Sequence, residues 1–178
     1  MHLLQSHDLF GPPERQDELR ECWRLNAELF DEQTNFTGRL TLTELFAMCK
    51  PNMVNVLANS DIAFDDTIAL AQGIAPNECY ALTRWEGGAL YPAGYQSQDV
   101  WIVNGGPHEI DVPWPMGTPG IDNRLVSVLR NSGFTVTNPS KSIRCHHMHA
   151  VQWRSYLVGG EKVFRISPPY DFVWPSEL

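Results

Sequence analysis

Long apolar runs are missing from this 178-residue chain, and with them any segment of membrane-spanning length. Paired cysteines are missing too. Cys22, Cys49, Cys79 and Cys145 stand far apart with no CxxC, which predicts no disulfide and a reducing compartment, with Cys22 and Cys49 buried on apolar helical faces. Lysine is scarce and arginine is scattered, so the formal charge of -8 is not offset by any basic run. Such a surface repels a nucleic-acid backbone or an anionic membrane unless a local patch overrides the field. There is no P-loop, no GxGxxG and no nucleophile elbow. Serines near histidines do not make a triad without geometry. The opening MHLLQSHDLFGPPE has neither a basic start nor a long apolar stretch, so a signal peptide is not expected and a cytoplasmic location is.

What is present suits a single folded domain over residues 1–178. The hydrophobic fraction is 43% with 6 Trp and 8 Phe, enough for a core. His2 to His7 reads as a strand. Leu19, Cys22, Trp23, Asn26, Leu29 and Phe30 recur at helical spacing between Glu14 and Phe30. Thr34 to Arg39 is polar and reads as a turn. Thr41 with Glu44 forms a capping-box pattern for a helix stopped by Pro51. Met53 to Ala58 predicts a central strand, Asp65 or Asp66 a cap for a short helix over 67–72, and Cys79 to Trp85 and Val100 to Val103 further strands. The Gly- and Pro-rich stretch from Gly105 to Gly120 is long enough to be a substrate loop. A helix from Asp122 to Asn131, strands at Phe134 to Thr137 and Ser142 to His146, and a strand at Lys162 to Ile166 complete the expectation. Alternating helices and short apolar strands predict a three-layer α/β/α domain.

Polar residues stop several of these runs at the places where an α/β protein puts its chemistry. Asn59-Ser60-Asp61 follows the central strand, and Asp61, Asp65 and Asp66 together suit a hard cation; a cap and a turn are the plainer roles. His147 and His149 share a face of an extended segment, with His146 and Met148 opposite; the pair suits metal ligation, with Arg144 expected on the same side to meet phosphate. Zinc is disfavoured, since no cysteine is close in sequence and a third ligand must come from elsewhere. Asp122 opens a helix and is either a cap or a general base. Gln98-Asp99, before a strand, suits a sugar hydroxyl, a role in orienting the metal site or, equally, a turn. Arg84-Trp85-Glu86 offers a phosphate contact, a ring platform and an acceptor, while Trp101, Trp114 and Trp153 read as core.

NSDIAFD, ALTRWE, SQDVWIV, PGIDNRL and NPSKSIRCHHMH, in this order, resemble a small GT-A-type nucleotide-sugar glycosyltransferase-like domain of bacterial and phage proteins, over roughly residues 2–156. The resemblance implies a donor-binding sheet and a short acidic motif that holds Mn²⁺ or Mg²⁺ on the sugar diphosphate. Asp61 aligns with the carboxylate of that motif, and Asn59 departs from its common two-Asp form. His149 or His147 resembles the late histidine drawn to the metal, and Asp122 the acceptor-facing acid. Beside the resemblance, Asn59, Asp99, Arg84 and Arg15 are the candidate donor contacts, although an exposed helix charge is the simpler reading of Arg15. The implied partners are a nucleoside diphosphate sugar and a hydroxyl acceptor; a nucleic-acid acceptor has no support from the charge. Two other classes compete: a non-catalytic carbohydrate-binding or assembly module with a GT-A-like shell, and a metal-dependent phosphoesterase. An enzyme of the proposed type requires Asp61, His147 or His149, and Asp122 around one cavity.

Overall fold

The computed structural model describes residues 1–150 and 164–178. Its strands are β1 (His2–Ser6), β2 (Glu32–Phe36), β3 (Val54–Ala58), β4 (Ile62–Phe64), β5 (Glu78–Leu82), β6 (Trp85–Glu86), β7 (Ala89–Leu90), β8 (Val100–Asn104), β9 (Thr135–Thr137) and β10 (Cys145–His147). The helices are α1 (Pro13–Ala27), α2 (Leu42–Ala47) and α3 (Ile121–Asn131), with 3-10 segments at Asp66–Gly73 and Gly94–Gln96.

The main sheet has the order β2-β1-β3-β8-β5-β9. Its strands are parallel except β8, which runs antiparallel to both β3 and β5. Central strands buried on both faces need apolar residues at every position, and VNVLA, ECYAL and VWIVN largely supply them. Alternate side chains then divide between two cores. Leu57, Ala81, Trp101 and Val103 meet Leu45 and Phe46 of α2 and Leu125 and Leu129 of α3. Val56, Leu82, Val100 and Ile102 face Ile62 and Phe64 of β4, Ile68 and Ile143.

That second face is not simply helical. A four-stranded sheet, β4-β10-β6-β7, lies there with α1 and the Asp66–Gly73 segment. The result is a mixed α/β fold with two sheets, and one outer layer of the expected α/β/α arrangement is shared between helix and strand. The capping box is present, with Thr41 Oγ1 accepting from Glu44 N and Glu44 Oε2 accepting from Thr41 N.

Some expected elements differ. The first part of the stretch read as a turn, residues 34–36, belongs to β2, because an edge strand beside β1 leaves half its surface in water and needs no apolar run. The strand expected over 79–85 breaks after Leu82, and Trp85 restarts in the small sheet. Residues 164–166 form no strand; Ile166 N donates to the Pro119 carbonyl. Trp153 and the first part of the Lys162–Ile166 expectation lie outside the described residues. Trp101 is buried, and Trp114 packs partly against the core. All four cysteines are buried free thiols, and burial pushes Cys22 and Cys49 up to about 12. Among the described residues no helix is long and apolar enough to cross a membrane.

Candidate functional site

The antiparallel strand β8 makes the site. Because it runs against β3 and β5, its first residue Val100 lies opposite Ala58 and Leu82, the last residues of those strands. Asn59, Asp99 and Arg84, from three separate stretches of chain, therefore arrive at one rim. Asn59 Nδ2 donates to Asp99 Oδ1 at 3.0 Å, and Arg84 Nη1 donates to Asp99 Oδ2 at 3.1 Å. Asn59, the residue that departs from the two-acid motif, is thus occupied with Asp99.

Asp61 is placed by a sharp reversal from β3 into β4. Ile62 N donates to the Asn59 carbonyl at 3.2 Å, and Gln5 Nε2 donates to the carbonyls of both Asn59 and Ile62. Asn26 Nδ2, from α1, donates to Ile62 O at 2.9 Å and to Gln5 Oε1 at 3.1 Å. Gln5 and Asn26 are fully buried, so these bonds fix the turn where water would otherwise compete. The antiparallel partner of β4 is β10, and Met148 N donates to the Asp61 carbonyl at 2.9 Å. That pairing puts the two expected histidines beside Asp61. His147 Nε2 lies 3.1 Å and His149 Nδ1 3.8 Å from Asp61 Oδ2.

The ligand atoms of Asp61, His147 and His149 lie within 4.8 Å of one another, and this cluster could coordinate a metal ion. Two ligands on an ion with bonds of about 2.1 Å stand no more than about 4.2 Å apart, so modest closure completes the fit. Two further observations favour it. His149 Nε2 is buried without a hydrogen-bond partner among the described residues. His147 Nδ1 meets Glu86 Oε1 at 2.9 Å, the outer contact that orients a ligating imidazole. Asp61 offers the third ligand that the histidine segment alone does not provide.

Charge is concentrated here. Arg15, read from sequence as an exposed helix charge or a phosphate contact, is 1% exposed. Its guanidinium donates to Asp61 Oδ2 at 2.5 Å, to Glu18 Oε2 at 2.8 Å and to the Met148 carbonyl. Burial pushes the Asp61 carboxyl up, but His147, His149 and Arg15 outweigh it and hold the group well below the carboxylate range. His147 is raised: burial works against its charge, and Asp61 and Asp99 favour it more strongly. Asp99 is raised by burial, with Arg84 opposing.

Asp122 stands in the first turn of α3 without serving as its cap. The cap position is Gly120, at φ 86°, with no side-chain capping bond. Burial raises the Asp122 carboxyl well above its ordinary value, and the nearby Asp99 charge adds to this; the Gln98 N–H and Arg84 oppose. Adding a side chain at Gly120 would strain that left-handed backbone and bring a Cβ to 3.1 Å from the Ile166 carbonyl.

All eight site residues expected from sequence border one cavity of about 910 Å³: Arg15, Asn59, Asp61, Arg84, Asp99, Asp122, His147 and His149. Other members of the expected constellation go elsewhere. Asp65 caps the 3-10 segment through Thr67 N, and its Oδ2 pairs with His146 at 2.9 Å and Arg144 at 3.1 Å, on the far side of β10 from His147. Trp85 donates to the Ser140 carbonyl at 2.8 Å and does not border the cavity. Tyr91 does, under the Arg84 guanidinium at 4.0 Å. Arg39 and Arg165 also border it and pair with no carboxylate among the described residues; Arg39 Nη2 donates to the Met116 carbonyl at 3.1 Å. Nothing in the local sequence marks these two arginines, which meet the cavity only through the fold. No family model matches the chain, and neither a curated protein nor a solved structure shows significant similarity to it.

Proposed function

We propose that this chain transfers a sugar from a nucleoside diphosphate sugar to a hydroxyl acceptor, with a divalent ion held by Asp61, His147 and His149 on a GT-A-like sheet. The observation that carries the reading is the joint position of this triad and Asp122 on one cavity. When bound, the ion would neutralise charge developing on the leaving diphosphate. Two imidazoles with one carboxylate suit Mn²⁺ better than Mg²⁺, whose preference is for oxygen.

Around that ion the chain's own groups divide the work. Arg39 and Arg165, without carboxylate partners among the described residues, are the cations open to diphosphate oxygens. Arg84 is held between Asp99, Glu86 and Tyr91, which gives Asp99 a fixed place to receive a sugar hydroxyl. Asp122 is the base of an inverting reaction. The acceptor oxygen bonds to the anomeric carbon as its proton passes to the Asp122 carboxylate, and the bond from that carbon to the diphosphate oxygen breaks. A carboxyl with a raised pKa is a stronger base near neutral pH than an ordinary aspartate, which suits the role.

A phosphoesterase would use similar residue types but needs a second group of ligands for a two-metal site. Among the described residues this triad is the one cluster of its kind. The test is a panel of nucleoside diphosphate sugars with Mn²⁺, Mg²⁺, Zn²⁺ or chelator, read by thermal melting. At a ligand concentration about 100 times Kd, one donor with Mn²⁺ is expected to raise Tm on the order of 5–10 °C. His149→Ala should cancel the metal-dependent part. A flat response to every donor, with or without metal, would leave the non-catalytic module as the better reading.

A further inference from the structure

We propose that Arg15 keeps the Asp61–His147–His149 site at low intrinsic metal affinity, so that a divalent ion is retained only together with a diphosphate. The inference rests on the metal and diphosphate reading above. Its basis is the sharing of one atom. Arg15 Nη2 lies 2.5 Å from Asp61 Oδ2, the same oxygen that faces His147 Nε2 at 3.1 Å and His149 Nδ1 at 3.8 Å. Asp61 is the triad's single anionic donor, and its Oδ2 is already engaged by a guanidinium that Glu18 also holds.

Arg15 is also poorly placed to leave. It is 1% exposed, and its two other bonds go to Glu18 and to the Met148 carbonyl, between the two histidines. An entering ion therefore finds the Asp61 oxygen already engaged, and a guanidinium beside the two imidazoles in a poorly hydrated setting. A diphosphate changes that balance by adding negative charge and oxygen ligands on the open side. Metal and diphosphate then tighten each other by the same factor, as linkage requires. Arg15 acts through Asp61 and is a positioning residue, distinct from Arg39 and Arg165 at the phosphate side.

The experiment measures Mn²⁺ binding by calorimetry and by the spin-resonance signal of free Mn²⁺, in the full chain, with and without inorganic pyrophosphate. Arg15→Met removes the charge and keeps most of the volume; Arg15→Lys keeps the charge. Wild type should bind Mn²⁺ alone weakly, Arg15→Met at least tenfold more tightly, and Arg15→Lys close to wild type. The factor by which pyrophosphate tightens Mn²⁺ binding should shrink in Arg15→Met. Equal or weaker Mn²⁺ binding by Arg15→Met overturns the proposal while leaving the metal site standing. If neither wild type nor Arg15→Met binds Mn²⁺ in any condition, the metal reading itself falls, and this proposal with it. Should Arg15→Met fail to fold, Glu18→Gln decides the sign. Removing that carboxylate leaves the Arg15 charge less offset and should weaken Mn²⁺ binding at least threefold; unchanged or tighter binding overturns the proposal.

Discussion

Asp122→Asn is expected to lower the transfer rate by about 10²–10⁴-fold, the range for loss of a general base, while raising thermal stability. The two effects have one origin. Burial and the Asp99 charge hold the Asp122 carboxyl well above its ordinary value, so ionising it costs the folded state free energy that the unfolded chain does not pay. A folded pKa above the unfolded one means that the native state binds more protons between the two. Stability therefore falls as pH rises from about 4 through the folded pKa. Asparagine removes the charge and can still accept from the Gln98 N–H through its amide oxygen. A gain on the order of 1–2 kcal/mol, or about 2–8 °C in Tm, is expected at pH 7.5, vanishing near pH 4. Melting curves at both pH values and initial rates on the responding donor check this. An Asn variant that keeps its rate would remove Asp122 from the chemistry.

Asp61→Asn should do the opposite to stability and at least as much damage to function. Its carboxyl is held low by His147, His149 and Arg15 against the cost of burial, so ionised Asp61 supports the fold. Here the sign reverses: the contribution is present above about pH 4 and is lost as pH falls through the depressed folded pKa. Neutralising Asp61 strands the buried Arg15, and breaking such a pair costs about 3–5 kcal/mol. Glu18 remains bound to Arg15, which places the expectation at the lower end, a fall on the order of 6–12 °C in Tm at neutral pH. Mn²⁺ binding should be lost with it, because the one carboxylate of the triad is gone. The two aspartate variants thus move Tm in opposite directions at pH 7.5; Asp122→Asn meets wild type near pH 4, and Asp61→Asn approaches it only well below pH 4. A double-mutant cycle with Arg15→Met measures the coupling directly; additive losses would mean that the Arg15–Asp61 contact contributes little.

How far the sequence reveals this arrangement depends on the range of the interaction. The capping box at Thr41 and Glu44 is local and legible, as is the alternation that puts His147 and His149 on one face. Asp61 is legible as a polar stop after an apolar strand. The three-residue strand β4 is not, since Ile62-Ala63-Phe64 is shorter than any period can declare and lies among acidic residues. Arg15 is the sharpest case. Its place near the N-terminus of α1 looks like that of any surface charge, and only Asp61, 46 residues away, turns it inward. Arg39 and Arg165 reach the cavity from loops that carry no pattern of their own. The small sheet is hard to read for a similar reason: each strand is two or three residues long, and apart from the local β6–β7 hairpin its pairings join segments about 60 to 85 residues apart.

The reversal that presents Asp61 has a consequence for the order of assembly. Its side chain faces His147, 86 residues on, and its carbonyl receives the Met148 amide, so the Asp61–His147–His149 cluster forms only after β10 has docked beside β4. Contacts of such long range are expected late in folding, because the loop between them must be closed before they contribute. A divalent ion would then act as a clasp across that loop, with little hold on a chain whose small sheet is still open. In a refolding experiment the ion-binding signal should rise after the main-sheet signal, and its amplitude would count the molecules in which the clasp has shut.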